Sequence, residues 1–504
     1  MVWKKYKILT AIVFIAASFF EVRECYLPKW LTARRGSDTA LVHRDLEQLK
    51  KKGNLVLLTE NNSTAYFIYR GNPMGYEYET IDSFARSIGV QLSVAVVKNI
   101  DNIFGMLDSG TGDIAADNLT VTNSRRHKVD FTLPLFTTRQ VLVQRKPDNW
   151  QKMNQQQLDK ALVRSTIQLA DKKVYARKGS SFYERLQALS DEIGGKIEII
   201  DAPPGESTEE LIGDVATGKI DYTLADENCA GIVSGYYDNL DIKTPVSFPQ
   251  KIAFAVRNNS PDLLNALNEW IRKKRKSKFL QLTYDKYYSD KKFASLRQSA
   301  PYCSISGDRI SPYDDLAKKY SPLLGWDWKL LVAQIYQESQ FDPRARSWSG
   351  AYGLMQTLPS TSNIDSADMT PEKSIASGVE YLKTIDDYWV KSVSDEKERI
   401  AFDLASYDVG IGHVIDARNL AVKYGLDPAK WDNNVAYFLL NESKPKYYND
   451  AIAQYGYCRG QEAYQYVREV LNRYQMYCNI YGNNGNENAK PDGESTSIKN
   501  NKAR

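Results

Sequence analysis

The spacing of apolar positions changes part-way along this chain. Between Gly53 and roughly Asp290, short apolar runs alternate with segments of helical spacing. Asn54 to Thr59 reads Asn-Leu-Val-Leu-Leu-Thr directly after a glycine, which predicts a buried strand. Tyr78 to Ile88 has helical spacing and stops at Gly89, and Val90 to Val97 alternates as a strand. Gly112 to Ala116, Lys173 to Arg177, Ile197 to Ile200 and Asp221 to Leu224 predict further strands. Strands that alternate with helices predict parallel sheets with helices on their faces. From Asp314 onward the strand signals almost vanish. Trp328 to Glu338, Ile375 to Trp389, Arg399 to Tyr407, Asp432 to Asn441 and Gln461 to Tyr477 all carry helical periodicity. An α/β half therefore precedes an all-α half, with a boundary near residues 290–312.

Composition narrows the chemistry. At 504 residues the chain is too long for one core, and about three domains are expected. Three histidines, His43, His127 and His413, leave little material for His-based metal sites or a Ser-His-Asp triad. Acid–base chemistry must then rest on carboxylates, and no metal or cofactor is expected. The 66 basic and 62 acidic residues balance too closely to suggest nucleic acid as a partner. Tyrosine, at 33 residues, is abundant enough to suit grooves for polar ring-shaped or peptide ligands.

The N-terminus has the form of an export signal. Lys4, Lys5 and Lys7 precede an apolar run from Ile8 to Phe20, long enough for a leader and short for a spanning helix. Residues 1–25 are read as a cleaved signal or an uncleaved anchor, and 26–49 as a linker. Cys25 follows the run, but Val22-Arg-Glu24 lacks the small residues expected before a lipidated cysteine. The expected location is outside the cytoplasm: periplasmic, and associated with the outer membrane through this end. Cys229, Cys303, Cys458 and Cys478 fit no metal-ligand spacing. In an exported protein Cys303 could pair with Cys458 or Cys478, or all could stay as thiols. Residues 479–504 are polar and are expected to be disordered.

Several motifs of the first half keep a familiar order. Gly75-Tyr-Glu-Tyr-Glu79 leads into a helix. Gly112-Asp-Ile-Ala-Ala116, Leu119-Thr-Val-Thr-Asn-Ser-Arg125 and Val129-Asp-Phe-Thr-Leu-Pro134 follow. Over residues 50–290 the chain resembles the solute-binding domains of amino-acid transport systems. The resemblance implies two α/β lobes that close on a ligand by a hinge. It assigns Thr122-Asn-Ser-Arg125, with Thr120 beside it, to a ligand carboxylate, for which a planar guanidinium is suited. It assigns Asp226, at the end of Gly218-Lys-Ile-Asp-Tyr-Thr-Leu-Ala-Asp226, to the ligand's ammonium. An amino acid or a wall peptide (a muropeptide) would offer both groups.

In the second half one carboxylate is conspicuous. Trp328, Leu331 and Ile335 form a helical stripe, and Glu338 falls on it. Asp342-Pro343 ends the helix soon after, so Glu338 sits in the last turn. Lost hydration and the negative end of the helix dipole both predict a raised pKa, as a general acid requires. Glu338-Ser-Gln-Phe-Asp-Pro343 is followed by Ser347-Trp-Ser-Gly-Ala-Tyr-Gly-Leu-Met-Gln356, Ser374-Ile-Ala-Ser-Gly378 and Ala405-Ser-Tyr-Asp-Val-Gly410. From about Tyr313 to Tyr477 the chain resembles the lytic transglycosylase domain related to goose-type lysozyme, and residues 300–478 are read as that domain. The resemblance implies a lysozyme-like, all-α (at most α+β) fold that cleaves peptidoglycan between N-acetylmuramic acid and N-acetylglucosamine without water. It leaves 1,6-anhydro ends. It makes Glu338 the catalytic acid and then base, with Ser347, Met355 and Gln356 lining the cleft. Tyr407 would stand near Glu338 and fix the sugar or the carboxyl group. Asp408 stands where the family usually has Asn. It is either silent or a second carboxylate that activates water, which would make the enzyme a hydrolytic muramidase. A binding or receptor protein with an inactive second domain is the other reading, and the intact Glu338 motif opposes it.

Overall fold

The computed structural model describes residues 42–482 except 204, 299 and 306. The leader, Cys25 and the tail beyond Gly482 lie outside the described residues. No helix among the described residues is long and apolar enough to cross a membrane.

Two five-stranded sheets form the first half. One runs Gln91–Val96, Asn54–Thr59, Ile114–Ala115, Ala255–Val256, Asp130–Phe131 across the sheet. The other runs Glu198–Asp201, Lys173–Ala176, Tyr222–Asp226, Gln140–Arg145, Leu240–Pro245. In each, the three strands joined by helices are parallel, as their alternation with helices predicts. One strand of each sheet runs against the rest, Ala255–Val256 in the first and Gln140–Arg145 in the second, so the sheets are mixed rather than wholly parallel. The reason is topological. The chain leaves the first lobe, builds the second and returns, and strands at each crossing enter against the existing direction. The two crossing segments pair with each other, Phe136–Thr138 antiparallel to Gln250–Ile252, and form the hinge between the lobes.

The first lobe gathers chain from both sides of its sequence core. Asp45 caps the helix Leu46–Lys52 and also accepts from Leu263 N at 2.7 Å, so residues 42–49 are fastened to the lobe rather than being a free linker. Buried Asp113 holds Arg44 at 2.6 Å and Arg257 at 3.1 Å. The expected boundary region contains a helix, Lys291–Gln298, whose Arg297 is buried over the rings of Phe67, Tyr287 and Phe293. Ser304 N then bonds the carbonyl of Ile68 at 2.9 Å.

The second half is helical, as its periodicity predicts. Helix Trp328–Ser339 is buried around most of its girth by Leu330, Leu331, Val332, Ala333 and Ile335, the pattern of a central helix rather than of one striped face. Pro371–Trp389, Glu396–Val409, Ile411–Lys423 and Gly460–Tyr481 pack around it or around one another. Trp389 Nε1 donates to Ser406 Oγ at 2.9 Å and fixes the register of two of them. The segment predicted as one helix from Asp432 is kinked, because Asp432 is extended and Asn433 left-handed (φ 60°); regular helix begins at Ala436. The last helix continues to Tyr481, past Tyr477, the end that its periodicity predicts. Cys458 and Cys478 are thiols, so neither is bridged to Cys303.

The halves share one interface. The last helix lies along Gln91–Val96, the edge strand of the first lobe. Asn472 Nδ2 donates to Leu92 O at 3.0 Å, Arg468 Nε to Gln91 Oε1 at 3.0 Å, and Tyr477 Oη to Gly71 O at 2.7 Å. The bond to Leu92 O uses an edge-strand group that would otherwise be open to another chain.

Candidate active site and ligand cleft

Glu338 occupies the last turn of its helix, half-buried. The chain turns sharply after it: Gln340 and Phe341 are both left-handed, at φ 51° and 67°. Two successive non-glycine residues in that region are uncommon. They end the helix and leave its final carboxylate at the domain surface. Burial pushes the Glu338 carboxyl up to about 8, Tyr466 opposes the rise, and the Asp408 charge adds to it. At neutral pH the group is mostly protonated and able to donate.

Tyr466 is the contact to Glu338 that sequence reasoning missed. Its hydroxyl donates to Glu338 Oε1 at 2.5 Å, from the middle of the last helix. Tyr407 does not hold that carboxyl. It stands close enough that the Glu338 charge raises its own pKa, but its hydroxyl donates to the Met355 carbonyl at 2.7 Å. Its ring lies 5.4 Å from that of Tyr381. The Met355 side chain is fully buried and packs over Gly378, where an added Cβ would come within 2.6 Å of it. Ser347 Oγ accepts from Ala351 N at 2.9 Å, and Gln356 Nε2 donates to the carbonyls of Ala345 and Gly353 at 3.0 and 2.7 Å. Ser347 and Gln356 therefore brace the loop after Glu338 through their side chains, and Met355 braces it through its backbone. Gly353, at φ 83°, makes the tight turn this loop needs.

Asp408 is exposed at the end of helix Glu396–Val409, next to Tyr407. Its crowded surroundings, then Glu462, push its carboxyl up to about 6. Glu338, Tyr407, Asp408 and Tyr466 form one electrostatic group, since each perturbs at least one other.

A second site lies between the two lobes. They close on a cavity of about 70 Å³ lined by Glu60, Asn118, Arg125, Arg177, Glu209 and Asp226, among others. Arg125 and Asp226 both line this cavity. Arg125 Nη1 donates to Thr120 O at 3.1 Å, and its guanidinium lies over Phe104. Thr122 caps the short helix Asn123–Arg126 by accepting from Arg125 N at 3.3 Å. Thr120 and Thr122 thus stand behind Arg125 and orient it; neither lines the cavity. Asp226 accepts from Asn118 at 2.7 Å through Oδ2, and its buried Oδ1 has no partner. Burial pushes it up to about 7, against the pull of Asn118 and Arg125. Sequence reasoning missed the clasp across the lobes: Arg177 to Glu60 at 2.6 Å and Ser63 Oγ to Glu209 at 2.6 Å.

The chain matches known proteins over both halves. Residues 55–290 match the bacterial extracellular solute-binding proteins, family 3, and residues 315–427 the transglycosylase SLT domain. A membrane-bound lytic murein transglycosylase F from Desulfosudis oleivorans is 32% identical over 438 residues, 86% of this chain and 92% of that one. Proteins of the same name from Aliivibrio fischeri and Pseudomonas fluorescens are 31% and 30% identical, over 84% and 86% of their lengths. The chain belongs to the membrane-bound lytic murein transglycosylase F family. It is a peptidoglycan lytic transglycosylase with a solute-binding-type module in front. Among solved structures, an amino-acid transporter substrate-binding protein from Streptococcus pneumoniae bound to L-arginine is similar to the first half. It is 23% identical, with a TM-score of 0.41, over 50% of this chain and 99% of that one. Tyr466 lies beyond the matched SLT segment, on the helix that also docks against the first lobe.

Proposed function

We propose that Glu338 carries the reaction alone as acid and then base, and that it leaves 1,6-anhydro-muramoyl ends. The observation that supports this is a half-buried carboxyl held near pH 8 with one tyrosine hydroxyl on it. In the first step Glu338 protonates the glycosidic oxygen, and the substrate's acetamido oxygen stabilises the anomeric carbon as the bond breaks. Glu338 is then anionic, and Tyr466 donates to it at the moment its charge is least solvated. The carboxylate takes the proton of the muramoyl 6-hydroxyl, whose oxygen closes on C1. Digestion of purified peptidoglycan with mass analysis of the products tests this. Anhydro-muramoyl ends are expected. Reducing muramoyl ends would establish the hydrolytic reading, for which Asp408 is the candidate water-activating base.

The front module is proposed to bind an amino acid or wall peptide between Arg125 and Asp226, as carboxylate and ammonium partners. The Asp226 oxygen left without a partner supports an ammonium there. Titration calorimetry with free amino acids and wall peptides, on the intact chain and on Arg125→Ala, separates the two ligand classes. Heat that is unchanged in Arg125→Ala would place binding elsewhere. The same reading puts the enzyme in the periplasm, held to a membrane by its N-terminus. Fractionation of cells expressing the full chain and a chain lacking residues 1–25 tests that anchoring.

A further inference from the structure

Behind the catalytic cleft three residues far apart in sequence converge. His413 is on the first turn of helix Ile411–Lys423, Glu442 directly follows helix Ala436–Asn441, and Cys458 precedes helix Gly460–Tyr481. One ligand-type atom from each lies within 4.8 Å of the other two. Glu442 is fully buried and Cys458 is 3% exposed, while the His413 side chain is 22% exposed. Neither Glu442 oxygen has a hydrogen-bond partner, and neither does His413 Nδ1. A buried carboxylate left without hydrogen bonds is strongly disfavoured, because it gives up its hydration and gains nothing in return. His413, 3.4 Å from Glu442 Oε2, offsets it only when protonated, whereas a cation with more than one bonding direction would satisfy both groups at once.

We propose that His413, Glu442 and Cys458 bind one zinc-class divalent cation that fastens the three segments together. The geometry suits it. His413 Nδ1 and Glu442 Oε2 are 3.4 Å apart. That is long for a hydrogen bond, and close to the edge of a tetrahedron with bonds of ~2.0–2.1 Å. One sulfur, one imidazole nitrogen and one carboxylate oxygen form a borderline-soft donor set, which favours zinc over magnesium or calcium. Partial exposure of His413 leaves a side open for water as the fourth ligand. On binding, the Cys458 Sγ–H proton is released to solvent and the thiolate ligates the metal. The role is structural and local. His413 is five residues past Asp408, and Cys458 is eight before Tyr466, so the cation would brace the wall and the helix on which both stand.

The test uses the purified full chain, stripped with a chelator and titrated with Co²⁺ alone, then with competing Zn²⁺. One equivalent is expected, with a thiolate-to-cobalt charge-transfer band in the near ultraviolet that Zn²⁺ abolishes. Cys458→Ser should lose the band and His413→Ala should weaken binding at least about 10-fold, in proteins whose far-ultraviolet circular dichroism matches the parent. Glu442→Gln is the second probe, because it removes charge with little change of shape. No band in the folded parent, or a band that survives in Cys458→Ser, overturns the proposal and leaves the cluster as packed side chains.

Discussion

Glu338 and Tyr466 make a pair whose ionisation can be followed from both ends. Burial holds Glu338 near 8, against about 4.5 in an unfolded chain. Its folded value is raised, so its contribution to stability is complete below pH 4.5 and is lost as pH rises through about 8. Glu338→Gln should therefore match the parent in thermal unfolding near pH 4, and exceed it by several degrees at pH 8.5, while abolishing cleavage of peptidoglycan. Equal midpoints at both pH values would show that the carboxyl is not held protonated. The same titration predicts that kcat/KM falls above about pH 8, where the acid form is lost. Tyr466 lowers the Glu338 value by bonding to its anion. Tyr466→Phe should move that alkaline limb upward in pH and cut kcat by about 10-fold or more. A lower rate with an unmoved limb would reduce Tyr466 to a packing role. Asp226 follows a similar argument with the ligand included. Its carboxyl is held near 7, and an ammonium partner needs it ionised. Calorimetric affinity for an amino-acid or peptide ligand should strengthen as pH rises to about 7 and flatten above it. Affinity that is flat from pH 5 to 8 would remove Asp226 from the ammonium's site.

At the scale of elements, the sequence was legible where one element carries its own explanation. The helix through Glu338 could be read from spacing and from Asp342-Pro343, because an apolar period and a stop signal are local. The Arg125 turn was local too. What could not be read were contacts between elements. Tyr407 and Tyr466 are both tyrosines on predicted helices, and only the packing of Gly460–Tyr481 against Trp328–Ser339 decides which one reaches the carboxyl. The antiparallel strands at the lobe crossings depend on a return path of more than a hundred residues, which no local period encodes. The Asn433 kink was hidden because apolar spacing continues across a left-handed residue. His413, Glu442 and Cys458 are separated by 29 and 16 positions, a spacing that matches no metal motif; three helix ends bring them together. The lobe clasp is of the same kind, and it gives a prediction at this scale. Arg177 and Glu60 are largely buried and paired at 2.6 Å across the lobes. Arg177→Ala leaves Glu60 with an unpaired charge in the closed form, so the open form should gain population. Small-angle scattering of the ligand-free protein should show a larger radius of gyration; an unchanged radius would mean that other contacts hold the lobes shut.

At the scale of the whole molecule, the last helix joins two jobs. One face holds Tyr466 on Glu338, the proposed acid, and another bonds the edge strand of the binding module. A second contact lies directly behind the acid. Gly71, in the turn between strands Phe67–Tyr69 and Asn72–Met74, faces Phe341 and Tyr336. A Cβ there would lie 2.4 Å from the Phe341 ring and 2.8 Å from that of Tyr336, and φ at Gly71 is 76°. Arg473 lies over the same Tyr336 ring at 3.9 Å, so little room exists for the rings to yield. Gly71→Ala should therefore cost about 1–3 kcal/mol by overpacking, with backbone strain added. The displaced side chain is Phe341, three residues after Glu338 and itself left-handed, so the disturbance passes straight to the last turn of the Glu338 helix. The expected result is a lower unfolding midpoint together with a several-fold loss of kcat, while ligand affinity of the front module stays within about twofold because Arg125 and Asp226 are not touched. A variant that loses stability but keeps full kcat would show that the two halves are only packed together. Loss of kcat in a variant that still binds its ligand normally would place the mechanical link between binding module and catalytic acid at this one glycine.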